Sequence, residues 1–415
     1  MAHPRFRAAL ATVAVLCVLA PPGRAATPAR ASWFSAWSRP QNVAAAAAAD
    51  PLSGGRGPGP LLDQTVRDVV QLSGAGSAVR IRLTNRFGAS LTPNGTTPLH
   101  VTAATVAQRA KGADLVAGTL RLITFGGRKD VTIPAGGDVV SDPVALPVRA
   151  FEDLAISLHT DPVAVAPQHG ASFVTSYLSA VHSGDRTRDV SGAAFTGKTA
   201  GTLVLTGVDV RSTALRGVVA TTGGSVVDGL GTLVDSHTDW PSWLSHRISS
   251  RTVVNNGLGG TTASTLCALL VTGPSVEERV AHDSLALPGV THLIVYAGTN
   301  DLGDACLSGI IINAYRSIVR QAHARHVKVL ISTITPRGSY TAVQNAEREK
   351  VNAWVRKGGN CSGECDRSLD FDVVIRDPAD HDRIDPRLDS GDGVHPTGEG
   401  YRRIAASIPL AALSP

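Results

Sequence analysis

The sequence predicts two folded parts in series. An antiparallel β-sandwich, possible as a jelly roll, spans residues 32–212, and an α/β part with a parallel sheet covered on both faces spans residues 213–415. Three observations carry that prediction. Of the 415 residues, 43% are hydrophobic and 18% charged, a globular composition at a length that suits about two domains. From residue 65 to about residue 210, short alternating runs are separated by Gly, Pro and Asn, with no long amphipathic stretch among them. Beyond Arg216, short continuous apolar runs alternate with helical periodicity, the pattern of strands buried on both faces.

In chain order, residues 1–31 read as a secretion signal. Arg5 and Arg7 precede a short apolar run at 8–20, and small residues follow, with cleavage expected after Ala25 or Ala31. That run is too short for a comfortable membrane span, and no later segment is long and apolar enough for a stable one. An alanine run at 44–49 and a Gly/Pro-rich loop at 53–60 come next. Strands are expected at 65–70, 79–83, 131–133 and 154–158, and Asn94-Gly95-Thr96 matches a glycosylation sequon. In the second part, strands are expected at 218–220, 252–254, 292–296, 328–331 and 371–374, with helices clearest at 310–323 and 342–356.

The formal net charge of +5 is thin over this length, and the basic residues are scattered, which argues against nucleic-acid binding. Removing Cys17 with the signal leaves Cys267, Cys306, Cys361 and Cys365, an even count suited to an oxidising, extracellular compartment. Four cysteines allow three connectivities. Cys361-Ser-Gly-Glu-Cys365 looks like a small closed loop, and Cys267 would then pair with Cys306. Zinc is the rival reading, but a single close Cys pair with no His pair speaks against it. The acidic stretch of Asp377, Asp380, Asp382, Asp385 and Asp389 follows no calcium-loop spacing and reads as a solvated loop. No metal and no cofactor are therefore expected.

Four places stand out. Gly223-Gly224-Ser225 follows the strand at 218–220, and the run Asn255 to Gly260 follows the strand at 252–254. Gly298-Thr299-Asn300-Asp301 follows the strand at 292–296, and Asp392-Gly393-Val394-His395-Pro396 lies near the C-terminus. Parallel sheets bind ligands at the carboxyl ends of their strands, where the first three of these fall. Acyl transfer needs a nucleophile, a base, a group that orients the base, and oxyanion donors. Ser225 can attack, His395 can take its proton, and Asp392 can fix the His395 tautomer. The N–H groups of Ser225 and Gly260 and the side-chain amide of Asn300 can bind the oxyanion. Each motif alone is usually a plain turn or polar loop; four in order at strand ends are not.

These places resemble the Ser, Gly, Asn and His blocks of the SGNH hydrolases, a branch of the GDSL esterases and lipases. The resemblance runs from about residue 217 to 411 and includes Leu287-Pro288-Gly289-Val290, Val351-Asn352-Ala353-Trp354 and Gly398-Glu399-Gly400-Tyr401. Trp33-Phe34-Ser35-Ala36-Trp37 and Asn85-Arg86-Phe87-Gly88 are similar to the N-terminal β domain of secreted actinobacterial members. The resemblance implies a three-layer α/β/α hydrolase fold with a flavodoxin-like parallel sheet. It also implies a metal-free site and a small-molecule, glycan or lipid ester as substrate.

One departure stands out. The family reads Gly-Asp-Ser-x-Thr at its first block, whereas this chain reads Gly223-Gly224-Ser225-Val226-Val227. Asp235-Ser236-His237-Thr238 carries the familiar pattern but lies eleven residues beyond Ser225, too far from the strand end. Trp240-Pro241 also falls fifteen residues after Ser225, where the family places it, and only four after Ser236. The lost Asp supports a rival reading, a degenerate member that binds a glycan or lipid with little turnover. Retention of Gly260, Asn300, Asp392 and His395 argues for the enzyme.

Overall fold

The first part is built from two main antiparallel sheets and a two-stranded one that pairs Gln168–His169 with Thr202–Leu203. In one, Ser32–Ser38, Leu205–Ser212, Val79–Thr84 and Asp138–Val140 lie side by side. In the other, the order is Gly197–Thr199, Ser176–Leu178, Thr65–Gln71, Asp153–Thr160, Leu99–Lys111 and Asp114–Leu115. Alternation along the strands decides the covered face. Val79, Ile81 and Leu83 from the first sheet and Val66, Val70, Leu154, Ile156 and Leu158 from the second share one core. The computed structural model describes Met1 and residues 31–42, 59–87, 97–164, 166–267 and 273–414. The expected secretion signal, the alanine run, the loop at 53–58 and the glycosylation sequon lie outside these residues.

The second part is a five-stranded parallel sheet, ordered Thr252–Gly257, Val218–Gly223, Val290–Tyr296, Lys328–Ser332 and Arg367–Leu369. Numbered along the chain this is 2-1-3-4-5, the flavodoxin-like doubly wound order, whose switch point lies between strands 1 and 3. Successive side chains point to opposite faces. Val218, Ala220, Leu293, Val295, Val329 and Ile331 share a core with helices Val276–Asp283, Ser308–His323 and Ala342–Arg356. Val219, Ile294, Leu330 and Leu369 share another with helices Trp240–Ser245, Phe371–Ile375 and Gly398–Ser407. The result is a three-layer α/β/α fold. Local signals set the helix ends: Thr341 and Gln344 form a capping box, and Thr397 accepts from the Gly400 N–H. No helix among the described residues is long and apolar enough to cross a membrane.

One expected element is corrected. Residues 371–374 belong to the helix Phe371–Ile375, and the fifth strand is Arg367–Leu369. A four-residue apolar run fits a buried strand or a helical turn equally well. Asp370 decides, because its carboxylate accepts from the Val373 N–H as a helix cap.

The sandwich and the parallel sheet share a continuous core, and residues 31–415 form one compact unit. Polar bonds reinforce it. The Ser35 N–H donates to the Pro288 carbonyl at 3.0 Å, and Thr252 Oγ1 donates to the Ser35 carbonyl at 2.6 Å. His282, which the sequence leaves without an evident partner, sits between Asp138 Oδ2 at 2.6 Å and Asp283 Oδ1 at 2.7 Å. Arg86 Nη1 also reaches Asp283 Oδ1 at 3.1 Å. Hydrogen bonding to Asp138, then to Asp283, raises the His282 pKa to about 9 against the opposing effect of burial.

A histidine raised on folding contributes stability that is complete below its unfolded pKa of about 6.5 and disappears as pH rises through about 9. The melting temperature should therefore fall from pH 7 to about pH 10 more steeply in the wild type than in His282→Gln. Parallel curves in a thermal melt series would show that this cluster does not stabilise the fold.

Candidate active site

The strand Val218–Gly223 runs so close to its neighbour Val290–Tyr296 that a Cβ at position 223 would overlap the Tyr296 carbonyl oxygen. Only glycine lets the strand end there. The chain then turns through Gly224 into the short helix Ser225–Asp228, with the Asp228 N–H donating to the Gly224 carbonyl at 3.1 Å. Ser225 thus stands half-buried at the first helical position. Its own N–H is one of the first-turn amides that have no acceptor within a helix.

Ser225 Oγ lies 2.7 Å from His395 Nε2, and His395 Nδ1 lies 2.6 Å from Asp392 Oδ2. A carboxylate accepts only, so the Nδ1 proton donates to Asp392 and Nε2 is left to accept from the Ser225 hydroxyl. Asp392 Oδ1 also accepts from the N–H groups of Val394 and His395, each at 2.9 Å. Partial burial raises the Asp392 carboxyl, but the bonds from the His395 ring and from the two N–H groups outweigh it and hold the pKa at about 2. The loop itself is pinned. Asp389 accepts from Gly391 and Gly393, Gly338 donates to the Gly393 carbonyl, and Ser390 donates to the His395 carbonyl.

Asn300 lies in the helix Thr299–Gly303, directly beyond the third strand, and lines one small cleft with Gly224, Ser225, Thr261 and Thr299. Its Nδ2 donates to the Thr261 carbonyl at 2.9 Å, which uses one of its two N–H groups. Gly260 adjoins Thr261 in an exposed turn, at a φ of 78° that favours glycine. Buried Asp301 ties these two loops together, accepting from Ala263 at 2.8 Å and Ser264 at 3.0 Å. Burial pushes its pKa up to about 6 despite those bonds. A disulfide between Cys267 and Cys306, with Cα atoms 5.8 Å apart, joins the same loops. Cys361 and Cys365 are joined in the second disulfide, just before the fifth strand.

The structure brings Ser225, His395 and Asp392 into one hydrogen-bonded chain and sets Asn300 beside Ser225. Ser236 stands apart from that chain, its hydroxyl donating to the Leu233 carbonyl at 2.6 Å and pairing with Thr238 Oγ1 at 2.8 Å. In the acidic stretch, Asp382 pairs with Arg348 and Asp385 with Arg387. Among the described residues no group of three or more His, Cys, Asp or Glu could hold a metal ion. Two supporting residues escape sequence reasoning. Buried Arg279 donates to the carbonyls of Gly223 at 2.8 Å and Asn256 at 2.9 Å, holding the ends of the first two strands. Asp228 carries a second network, and its place one helical turn beyond Ser225 is the only signal the sequence offers.

Gly224 adopts φ −88° and ψ −151°, an extended conformation without the positive φ that favours glycine. A Cβ there would stand 3.3 Å from the Thr261 carbonyl oxygen and 3.5 Å from Asn300 Nδ2, so a short side chain needs only a small adjustment. Gly224→Asp should therefore fold. By removing backbone freedom beside Ser225, it should raise kcat more than it changes KM. A melting temperature lowered by many degrees would show that the Thr261 carbonyl cannot give way. An unchanged or lower kcat at full stability would show that Gly224 does not limit the rate.

Residues 221–403 match the GDSL-like Lipase/Acylhydrolase family. No curated protein matches the chain. Among solved structures, it is similar to a carbohydrate acetylesterase from Sinorhizobium meliloti at 16% identity, covering 48% of this chain and 100% of that one with a TM-score of 0.39. It is similar to a GDSL-like lipase from Bacteroides thetaiotaomicron at 19% identity, covering 48% and 88%, with a TM-score of 0.36. It is also similar to the aryl esterase of M. smegmatis at 15% identity, covering 48% and 97%, with a TM-score of 0.38. The family match spans Ser225, Gly260, Asn300, Asp392 and His395, so the second part of the chain is similar to GDSL-like lipases and acylhydrolases.

Proposed function

We propose that the protein is an exported serine esterase that cleaves short-acyl carboxylic esters, of small molecules, glycans or lipids, through an acyl-enzyme on Ser225. The observation that carries this reading is the unbroken chain from Ser225 through His395 to Asp392 at the switch point of the parallel sheet. The small cleft beside Ser225 favours a short acyl group. Two disulfides and the signal-like N-terminus favour an extracellular site of action.

In the first step Ser225 Oγ bonds to the ester carbonyl carbon as its proton passes to His395 Nε2. The carbonyl oxygen takes the negative charge. The N–H groups of Ser225 and Gly260 and the Asn300 amide are the donors for that oxyanion, of a kind worth about 3 kcal/mol each when removed elsewhere. The imidazolium then returns its proton to the departing alkoxide oxygen as the carbon–oxygen bond breaks. Water repeats the sequence in the second half, losing a proton to His395 and releasing the carboxylic acid and free Ser225. Asp392 remains a carboxylate throughout, because its pKa of about 2 lies well below any working pH.

The mature protein, with a panel of nitrophenyl esters of increasing chain length, tests the reading. Ser225→Ala should lose about three or more orders of magnitude in kcat and all labelling by a fluorophosphonate, while Ser236→Ala should keep both. Label mapped to Ser236 would assign the nucleophile wrongly, and no turnover of any ester by a folded wild type would favour the binding-only reading.

A further inference from the structure

Asp228 is buried three residues beyond Ser225, and its two carboxylate oxygens face in different directions. Oδ2 accepts from the N–H of Gly259, the residue before the oxyanion donor Gly260, at 3.0 Å. Oδ1 receives Arg39 Nη1 at 2.9 Å and His169 Nε2 at 2.9 Å. Arg39 Nη1 also donates to the Asp228 carbonyl at 3.1 Å. Both Arg39 and His169 are buried and come from the antiparallel part of the chain, 189 and 59 residues away from Asp228. The other nitrogen of His169 meets the Pro40 carbonyl at 2.7 Å, so the ring is fixed at both ends.

We propose that Asp228 is a positioning residue for the esterase reaction, and that the sandwich, through Arg39 and His169, holds the nucleophile turn and the oxyanion loop in register. This inference rests on the assignment of Ser225 as nucleophile. Asp228 belongs to the same helical turn as Ser225, its N–H bonded to the Gly224 carbonyl at 3.1 Å. Its carboxylate therefore couples the turn that carries Ser225 to the Gly259 backbone through one side chain. Two donors from outside the α/β part select a single rotamer for that side chain. A carboxylate left to rotate would release Gly259, and with it the direction of the Gly260 N–H. The consequence is that residues 32–212 act as part of the catalytic support and not as a separate binding module.

The test compares the wild type with Asp228→Asn and His169→Gln as full chains, with active sites titrated by a fluorophosphonate so that every rate is expressed per reactive Ser225. Asp228→Asn should lower kcat about a hundredfold, the cost of roughly 1 Å of misplacement, with KM changed by less than about threefold. His169→Gln leaves the Asp228–Gly259 bond in place and removes one of its two outside restraints, so its kcat should fall by a smaller factor, about fivefold to tenfold. Fluorophosphonate labelling should slow by the same factors as kcat. Folded variants with lower melting temperature but wild-type kcat per titrated site would overturn the proposal, leaving Asp228 a purely structural buried ion pair. If Asp228→Asn does not fold, His169→Gln decides alone, with an unchanged kcat overturning the proposal. A wild type that is not labelled at Ser225 would instead overturn the nucleophile assignment, and that result precedes any variant.

Discussion

The hydrogen bond between Ser225 Oγ and His395 Nε2 joins residues 170 apart in sequence, so it exists only if two distant segments are each held independently. On the serine side, the strand ends at a glycine because no side chain fits against the Tyr296 carbonyl, and Arg279 fastens the carbonyl of that glycine. On the histidine side, a loop with few apolar residues is fixed by its own backbone bonds to Asp389 and Asp392 and by the helix that Thr397 caps. The two sides also meet directly: Val226 and Val227 share a core with Leu388 and Tyr401, and the Tyr401 hydroxyl donates to the Leu230 carbonyl. With both segments fastened in this way, the bond between them closes at 2.7 Å, the arrangement a preorganised site requires.

The proposed oxyanion donors, Ser225, Gly260 and Asn300, lie in the short helices and the turn just beyond the strand ends, where connecting segments are more mobile than the strands. Here the second and third loops are fastened to one another. Asp301 bonds two successive N–H groups across the gap, and the Cys267–Cys306 disulfide closes it covalently. Burying Asp301 costs solvation, visible as its raised pKa, and the two N–H bonds offset part of that cost. Asp228 adds the third tie, from the nucleophile turn to the oxyanion loop. Together these contacts restrict the relative motion of Ser225, Gly260 and Asn300 without placing any bulk in the cleft.

What the sequence reveals follows from the range of the interaction concerned. The strands at 218–220 and 328–331 were readable because apolar runs between helical periods need no distant partner to be recognised, and the helix Ala342–Arg356 carries its own capping box. Three of the four motifs were readable because each lies at a strand end, and the fourth because Asp392 and His395 stand three residues apart near the C-terminus. Residues 371–374 were misread as a strand because the deciding bond, from the Val373 N–H to Asp370, is a single local hydrogen bond that hydrophobic periodicity does not register. The strand Leu99–Lys111 has a polar and alanine-rich sequence with little alternation. Asp228, Arg279 and His282 escaped for a different reason. Their deciding partners lie in remote segments, such as Arg39 189 residues from Asp228 and Asp138 144 residues from His282, and no local pattern encodes such a pair.

The proposed reaction depends on Ser225 carrying the acyl group between two half-reactions. Acid-quenching the wild-type protein during turnover of nitrophenyl acetate, then digesting it and weighing its peptides, tests that directly. One acetyl group should appear on the peptide containing Ser225, fragmentation should place it on that hydroxyl, and its amount should decline as substrate is exhausted. Acetate released with no acylated Ser225 at any quench time, or an acetyl group on Ser236, would contradict it.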